Sequence, residues 1–528
     1  MLLWLYRIFL AVFLVFPGSA AVATPSGATD VLLQFRKICP TQAQPMLSML
    51  GKYSPGEPDA FTLRDALGDI PREALIDRLN SLLGFTDRFG ASSRWDRQIE
   101  VCSDAQLSEG HTSGCLDLDD TVDWFVLQTA IFSAPAGTTL TIDRNAIGHL
   151  AINQSLALPA GTTVEWRPDA EGSYSYLYNV GSTAAIGGMI TSYNPYGRHV
   201  DTLLGNVVAD LALVEPHIDG NNIPGENAVG FARGTRDIRI VGGKIRKFRF
   251  DPVRQGGRAI QCEDGCENLL VKGTTITDTA FGISSTALHK RVDVYLPPDG
   301  KEMMLSAVQA VDIVMERVEV PFSFLNAKFG GSTLEDRQSV LINGAMLRDV
   351  GALTTSQFPN HDITYFAFPN PSTGEMAWCI NRTNLVEAAY QTNGDTRNSD
   401  GAGVFFFQGG RNIQIDNVTI ENSSDYPVIG GIFRGEVAAH VRVSNISFSG
   451  RANAVFNFTG GIGGPTAPAA HFEDAVFSGI KVRGEIKGVS IDVTEIPYRR
   501  PRMTSQGYRC TPPQSNNGKL DDVRFEIN

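Results

Sequence analysis

The chain has 528 residues, of which 42% are hydrophobic and 19% charged, a composition typical of folded rather than disordered proteins. Its formal net charge is −12 with both signs interspersed, which argues against a nucleic-acid-binding protein, because such proteins present a basic face. An acidic ligand is not excluded, since a local basic cleft can lie on an acidic protein. Glycine accounts for 53 of the 528 residues, which is above the usual proportion of about 7% and indicates many tight turns.

The amino terminus has the order of an export signal. Arg7 precedes the apolar run 8–16, which is followed by small residues up to Ala23. This order predicts a signal peptide over residues 1–23. The run is shorter than the roughly 20 residues that a membrane-spanning helix needs. We therefore expect a secreted or periplasmic protein that has no membrane association once the signal is removed.

Seven cysteines agree with export, because disulfides persist outside the cytoplasm. Cysteines that lie close together in such a chain are candidates for disulfide partners, although connectivity does not follow from spacing alone. The near pairs are Cys102/Cys115 and Cys262/Cys266, with Cys379/Cys510 as a candidate long-range bridge and Cys39 left over.

Residues 24–116 differ from the remainder of the chain. Apolar residues recur at helical spacing over 62–83, and several prolines interrupt the pattern. We interpret 24–116 as a mostly helical amino-terminal region that serves as a structural cap or spacer. The next stretch, 118–132, reads as an amphipathic helix with acidic residues in its first turn, and it is well placed to cover the open end of a solenoid.

One short phrase recurs eight times between residues 211 and 482: apolar, any, apolar, any, Gly or Asn, apolar or small, any, apolar. The copies begin at Leu211, Ile238, Leu269, Ile313, Val340, Ile413, Val441 and Ala475. The fifth position holds Gly or Asn in six copies, and Glu215 and Arg317 are the exceptions. Two short strands that meet at a left-handed residue form one bend of a coil.

A single bend of this kind cannot bury its inner face, whereas stacked copies can. The phrase therefore predicts an all-β chain, a parallel β-helix that extends over residues 117–496. Residues 497–528 read as a tail of loops, with a last strand at 520–527.

Several motifs around the coils resemble those of the pectate-lyase-like superfamily. They are Asp119-Asp120-Thr121, Ala136-Gly137-Thr138, Leu158-Pro159-Ala160-Gly161-Thr162 and Ile218-Asp219-Gly220-Asn221-Asn222. The resemblance covers about residues 117–490. It implies a right-handed parallel β-helix and an activity among polysaccharide lyases, glycoside hydrolases and uronan epimerases, or a tailspike role. The scaffold alone does not select among these activities.

The repeat also predicts which side chains lie together on the outer surface. If positions one, three, six and eight point inward, positions seven and nine point outward. Stacked strands are about 4.8 Å apart, so His217 should lie over Lys244, and Asp219 over Arg246. An imidazole, a carboxylate and two cations on adjacent strands form a candidate acid–base site.

Further cations near this site suit an acidic sugar polymer. Eliminating across the C4–O bond of a uronate requires a base for the C5 proton and a positive group for the carboxylate. The candidate substrate-binding residues are Arg249, Arg254, Arg258, Arg348 and His289. We therefore predict an exported lyase that cleaves an acidic polysaccharide; a solvated outer face with alternating salt bridges is the alternative.

Two other functions remain open at this point. Paired carboxylates about 5–9 Å apart would suit a glycoside hydrolase on the same scaffold. Candidates for such a pair are Glu375, Asp395, Asp400 and Glu421. The other function is that of a non-catalytic glycan-binding or surface-assembly protein. Oxygen ligands around Asp264 and Asp278 would suit Ca²⁺, and no other cofactor is indicated.

Two groups of outward residues predict contacts. Five of the eight residues at position two are apolar, which predicts a cover over that face, either the amino-terminal region or a neighbouring subunit. Tyrosines upstream of the repeat are candidates for stacking on sugar rings. They are Tyr174, Tyr176, Tyr178, Tyr193 and Tyr196.

Overall fold

The computed structural model describes residues 28–39, 43–57, 59–83, 116–181, 188–192, 208–231, 235–249, 256–262, 266–287, 306–326, 338–351, 363–369, 376–382, 403–407, 410–423, 428, 431–435, 437–452, 455–458, 471–486, 501–504, 507–510 and 519–527. Within these ranges, no helix has both the length and the apolar character required to span a membrane. The predicted signal peptide lies outside them, as do Cys102, Cys115, Tyr193, Tyr196, Arg254, Asp264, His289, Glu375, Asp395 and Asp400.

The described part of the amino-terminal region is mostly helical, as predicted. Its helices are α1 (Val31–Ile38), α2 (Gln44–Met49), α3 (Leu63–Leu67) and α4 (Arg72–Leu83), and α5 (Val122–Ser133) follows the region. The helical pattern over 62–83 is divided into α3 and α4. A capping box between Thr62 and Asp65 starts α3, and Gly68 ends it at a φ of 83°.

Helix α5 covers the first coil, but the prediction that it is amphipathic was wrong. Residues 122–132 are all buried, because α1 and α2 pack on one side and the strands Leu150–Ile152 and Leu156–Leu158 on the other. Its polar side chains bond to strand edges. Trp124 donates its indole N–H to the Ser155 carbonyl at 3.0 Å, and Gln128 exchanges two hydrogen bonds with Ala157.

The strands form three parallel ladders. Ladder A contains Thr29–Asp30, Thr139–Asp143, Thr163–Arg167, Ala209–Val214, Arg236–Val241, Glu267–Lys272, Ser306–Val311, Gln338–Asn343 and Lys519–Ile527, with the first parts of Arg411–Glu421, Val437–Ala452 and His471–Ile486. Ladder B contains Leu150–Ile152, Leu177–Asn179, His217–Asp219, Lys244–Arg246 and Met346–Arg348, with the first parts of Thr275–Ala287 and Val314–Asn326 and the later parts of the three long strands of ladder A. Ladder C contains Leu156–Leu158, Ile190–Ser192, Val229–Phe231, Arg258–Cys262, Phe405–Phe407, Phe433–Gly435 and Phe456–Phe458, with the later parts of Thr275–Ala287 and Val314–Asn326.

The chain follows ladders A, B and C in turn. All strand pairings within the 26-stranded sheet of the described residues are parallel. The fold is thus predominantly β and parallel, an arrangement compatible with a β-helix solenoid. Two separate antiparallel hairpins join Ile363–Pro369 to Met376–Arg382 and Pro501–Thr504 to Gly507–Cys510. The second hairpin lies where loops were predicted.

The predicted left-handed corners are confirmed, and one copy of the phrase is corrected. Gly242, Asn417 and the exception Glu215 have φ values of 69°, 55° and 53°. Leu269 pairs with Val308 and not with Ile313, so the fourth copy begins at Val308. Its corner is Asp312, with a φ of 53°.

A fourth copy that begins at Ile313 puts Arg317 at the first corner of its coil. In the structure, Arg317 lies instead at a second corner of the coil. Lys247, Asp278 and Asp349 have positive φ at the same second corner of their own coils. Positions seven and nine of the fourth copy are therefore Val314 and Glu316, whereas a copy that begins at Ile313 would have placed Glu319 and Pro321 there. Glu319 is buried.

Aromatic side chains stack along the core inside ladder C. The rings of Phe322, Phe405, Phe433 and Phe456 follow one another at centroid distances of 5.5, 5.1 and 5.5 Å, with nearly parallel planes. Such pairs contribute about 0.5–1.5 kcal/mol beyond their buried area. The column therefore ties successive coils together.

Three further predictions can be compared with the structure. Cys262 and Cys266 form the expected disulfide. The expected last strand is present as Lys519–Ile527, and it extends ladder A into the segment interpreted as a tail. The cover predicted over position two stays a prediction: Ala212 is buried and Leu270 and Leu341 are half-buried, whereas the polar residues Arg239, Gln414 and Arg442 are exposed. Helix α1 instead packs on α5 and on Thr139–Asp143.

Candidate functional site

The candidate site lies on the outer surface of the first four strands of ladder B. Lys244 pairs with His217 and Arg246 with Asp219, so the predicted stacking is confirmed. The preceding strands extend the row of Asp219 and Arg246, because Tyr178 pairs with Asp219 and Ala151 with Tyr178. We call the resulting surface the tyrosine–histidine face; it comprises Tyr53, His149, Tyr174, Tyr176, Tyr178, His217, Asp219, Lys244 and Arg246.

His217 is held between two tyrosines. Its imidazole is stacked on Tyr174, with centroids 4.0 Å apart and an interplanar angle of 9°, and it meets the edge of Tyr176 at 5.1 Å. Nδ1 lies 2.8 Å from the carbonyl oxygen of Glu215. Because a carbonyl only accepts, Nδ1 carries the hydrogen and Nε2 holds the lone pair in the neutral ring. Burial lowers the pKa of His217, which favours that neutral form.

Asp219 lies beneath this surface as the partner of two cations. Its side chain is 0% exposed; Oδ2 lies 2.7 Å from Nε of Arg246 and 3.4 Å from Nζ of Lys247. Oδ1 accepts a hydrogen bond of 2.8 Å from the backbone N–H of Asn221. A buried carboxylate with these partners orients the cations, because an unpaired charge in the same place would be strongly unfavourable.

Arg246 connects the ion pair to the tyrosines. Its guanidinium carbon lies 4.3 Å from the centroid of the Tyr176 ring, in a cation–π arrangement. The positive charge of Arg246 also acts on the Tyr178 hydroxyl and opposes the rise of the Tyr178 pKa that burial causes. Burial raises the pKa of both tyrosines, so their hydroxyl groups carry protons at neutral pH. Asp219, Tyr176 and Tyr178 thus fix Arg246 from three sides.

Two residues of this face were not predicted from the sequence. His149 accepts a hydrogen bond of 3.1 Å from the backbone N–H of Tyr176 at Nδ1, so its neutral ring carries the hydrogen on Nε2. Burial is the main cause that lowers the pKa of His149. Tyr53, from the amino-terminal region, packs on Tyr178 at a centroid distance of 5.3 Å.

A signal for His149 was present in the sequence. The triplets His149-Leu150-Ala151 and Tyr176-Leu177-Tyr178 have the outward–inward–outward pattern of His217-Ile218-Asp219. They are earlier copies of the second half of the phrase. No such signal exists for Tyr53, because it precedes its partners by about a hundred residues and lies outside the repeat.

The other predicted substrate-binding residues are dispersed. Arg249 is close to the face and donates from Nε to Oδ1 of Asn222 at 3.2 Å. Arg258 lies on ladder C, buried against Phe281. Arg348 is on ladder B four strands beyond Asp219, roughly 19 Å away at the usual strand spacing. The structure therefore brings together His217, Lys244, Arg246, Asp219 and Arg249, and it separates Arg258 and Arg348 from them.

Of the acidic and calcium candidates, only Glu421 and Asp278 lie among the described residues, and each is paired with an arginine. Glu421 pairs with Arg348 at 3.7 Å, and Asp278 forms two hydrogen bonds with Arg317 at 2.6 and 2.9 Å. In the part of the chain that is described, no group of three or more His, Cys, Asp or Glu residues could hold a metal ion.

Chemically, the face combines a histidine whose Nε2 can accept a proton, a lysine on the next strand, a fixed arginine and protonated tyrosines. This is a set suited to removing a proton from a substrate that carries negative charge. Comparisons with protein-family models, with curated proteins and with solved structures find no match to this chain.

Proposed function

We propose that the chain is an exported enzyme on a right-handed parallel β-helix that cleaves a uronate-containing polysaccharide by β-elimination. The observation that carries this proposal is the state of His217. Its Nδ1–H is bound by the Glu215 carbonyl, and burial keeps the ring neutral, so Nε2 is a base beside Lys244.

In the proposed reaction, Nε2 of His217 takes the C5 proton of a uronate. The C5–H electrons form the C4=C5 double bond while the bond from C4 to the glycosidic oxygen breaks. The departing oxygen takes a proton from the hydroxyl of Tyr176, whose ring is nearly perpendicular to that of His217 with centroids 5.1 Å apart. Proton exchange with water then restores the neutral imidazole and the neutral tyrosine.

The cations would stabilise the charge that develops on the substrate. Loss of the C5 proton moves negative charge onto the uronate carboxylate, so a positive group there lowers the barrier. Lys244 is half-buried on the strand next to His217. We assign it this role, and Arg246, whose charge is partly balanced by Asp219, would support it.

Assays on acidic polymers test the proposal. Purified protein is incubated with pectate, alginate or a glycosaminoglycan, and the ultraviolet absorbance of the unsaturated uronate is followed. His217→Ala and Lys244→Ala should abolish or strongly reduce the signal. Lys481→Ala is the matched control, because Lys481 occupies the same position of the phrase in the last copy and is exposed. Reducing ends without this absorbance would support a hydrolase instead.

A non-catalytic glycan-binding protein is the second candidate. The enclosure of His217 favours it, because two tyrosine rings contact the imidazole and leave the residue 9% exposed. Aromatic surfaces of this kind bind sugar rings. This candidate predicts that glycan binding survives in His217→Ala and Lys244→Ala and that no product forms.

A further inference from the structure

The geometry points to a role for the amino-terminal segment 50–57 within the site. We infer that this segment forms one wall of the tyrosine–histidine face and that Tyr53 is a positioning residue for Arg246, an inference that rests on the proposed function. The sequence indicated only a cap or spacer for this region.

The backbone of the segment docks against the start of ladder B. Tyr53 forms an antiparallel bridge with His149 and so extends the ladder by one more chain segment. Gly51 and Gly148 allow this close approach. A Cβ atom at Gly148 would lie 1.7 Å from the carbonyl oxygen of Gly51, and one at Gly51 would lie 2.7 Å from a methyl group of Ile147. Larger residues at either glycine would push the segment away.

A buried carboxylate clamps the same contact. Asp123, in the first turn of α5, accepts a hydrogen bond of 2.8 Å from the Gly51 N–H and one of 2.7 Å from the Ala151 N–H. One side chain therefore joins the amino-terminal segment, the capping helix and ladder B. Because both carboxylate oxygens are used, the segment is held in a defined place.

The Tyr53 side chain extends across three strands of the face. Its ring lies over the small residue Ala151 and packs on Tyr178. Its hydroxyl interacts electrostatically with the side chain of Asn221, whose backbone N–H donates to Asp219. Asp219 in turn holds Arg246. A continuous set of contacts thus runs from Tyr53 to the guanidinium.

This arrangement matters for an anionic substrate. An exposed Asp219 would repel a uronate and would leave Arg246 free to turn outward as a solvated ion pair. Under Tyr53 and Tyr178, Asp219 is fully buried, so the surface that a ligand meets is dominated by Lys244 and Arg246. Tyr53 therefore favours negatively charged sugars over neutral ones.

The test uses the full chain with Tyr53→Phe and Tyr53→Ala, and Phe61→Ala as the control, an exposed aromatic residue in the same region. Tyr53→Phe keeps the ring and removes the hydroxyl that interacts with Asn221 and Asp219. It should raise KM for the uronate polymer about fivefold, the size expected for the loss of one polar interaction, with kcat changed much less. Tyr53→Ala should raise KM further, and Phe61→Ala should match wild type. Wild-type KM in Tyr53→Phe would overturn the positioning role.

A second measurement does not depend on activity. The His149 imidazole is titrated by NMR on protein with carbon-13-labelled histidine. Burial holds its pKa down, so Tyr53→Ala should move that pKa up towards the ordinary histidine value. An unchanged His149 pKa would contradict the inference that segment 50–57 docks on this face. If Tyr53→Ala shifts the His149 pKa but wild-type protein cleaves no uronate polymer, the docked segment is supported and the proposed reaction is contradicted.

Discussion

The imidazole of His217 lies flat against the ring of Tyr174, with centroids 4.0 Å apart and planes within 9° of parallel. This contact covers one face of the imidazole, and the Glu215 carbonyl fixes Nδ1, so the ring has one orientation and one free nitrogen. A base that is held in this way loses little conformational freedom when a substrate binds.

The activity should depend on pH through His217. Burial lowers the pKa of its imidazole below the ordinary value of about 6.5. A general base works when unprotonated, so kcat/KM should rise with pH through a value below 6.5 and then level off. Initial rates on the cleaved polymer between acid and neutral pH measure this. A rise centred well above 6.5 would assign the base to another residue.

Asp219→Asn should destabilise the fold. The substitution leaves Arg246 and Lys247 without their buried counter-charge, and breaking such a pair typically costs about 3–5 kcal/mol. The free energy of unfolding in urea measures the loss. Arg348→Gln is the control, because its pair with Glu421 is half-exposed and should contribute less than about 1 kcal/mol. Equal effects of the two substitutions would contradict the buried ion pair.

Two corner glycines should respond differently to alanine. Gly242 and Gly273 have nearly equal φ values of 69° and 66°. A Cβ at Gly242 would lie 2.1 Å from Oε1 of Glu215, whereas at Gly273 the nearest atom is 4.0 Å away. Gly273→Ala should cost only the left-handed backbone penalty of about 1–2 kcal/mol. Gly242→Ala should cost more, as measured by urea unfolding; the opposite order would refute the stacking of these corners.

Asp123 should make stability depend on pH. Burial raises the pKa of its carboxyl to about 7 in the folded protein, above the unfolded value of about 4. The folded state then binds the extra proton, so this stabilisation is fully present below about pH 4 and is lost as pH rises through 7. Relative to Asp123→Asn, wild type should lose up to about 1.4 kcal/mol per pH unit within that window.

The matched control for Asp123 is Asp210→Asn, which changes an exposed residue. Asp120, whose pKa burial raises to about 8, is present in every variant and therefore drops out of the comparison. Urea unfolding at several pH values between 4 and 8 gives the curves. Parallel curves for wild type and Asp123→Asn would show that Asp123 does not titrate in this range.

Much of the ladder architecture follows from the repeat. His217 and Lys244 could be paired from the sequence because they occupy the same position in successive copies of the repeat. Backbone geometry fixes the alternation of side chains and the distance between strands. The copy at Ile313 was misplaced by five residues. Since Arg317 is also left-handed, a coil has two corners of this kind, and the phrase fits either of them.

The chemical environment was less predictable. Asp219 was expected to share in acid–base chemistry, yet it is buried under tyrosines and paired with Arg246. Tyr178, on the strand next to Asp219, packs on Tyr53, which comes from a separate helical region with no periodic relation to the coils. Position along a strand is encoded locally, whereas the cover over a strand is a long-range contact that a single sequence does not reveal.

The mass of the products formed from a uronate polymer tests the proposed chemistry most directly. Wild-type protein should release oligosaccharides that are one water lighter than those of hydrolysis, because elimination leaves a double bond and adds no water. His217→Ala, folded to the same melting temperature, should release none. Hydrolytic masses from wild type, or unsaturated products from His217→Ala at an undiminished rate, would contradict the assignment of His217 as the base.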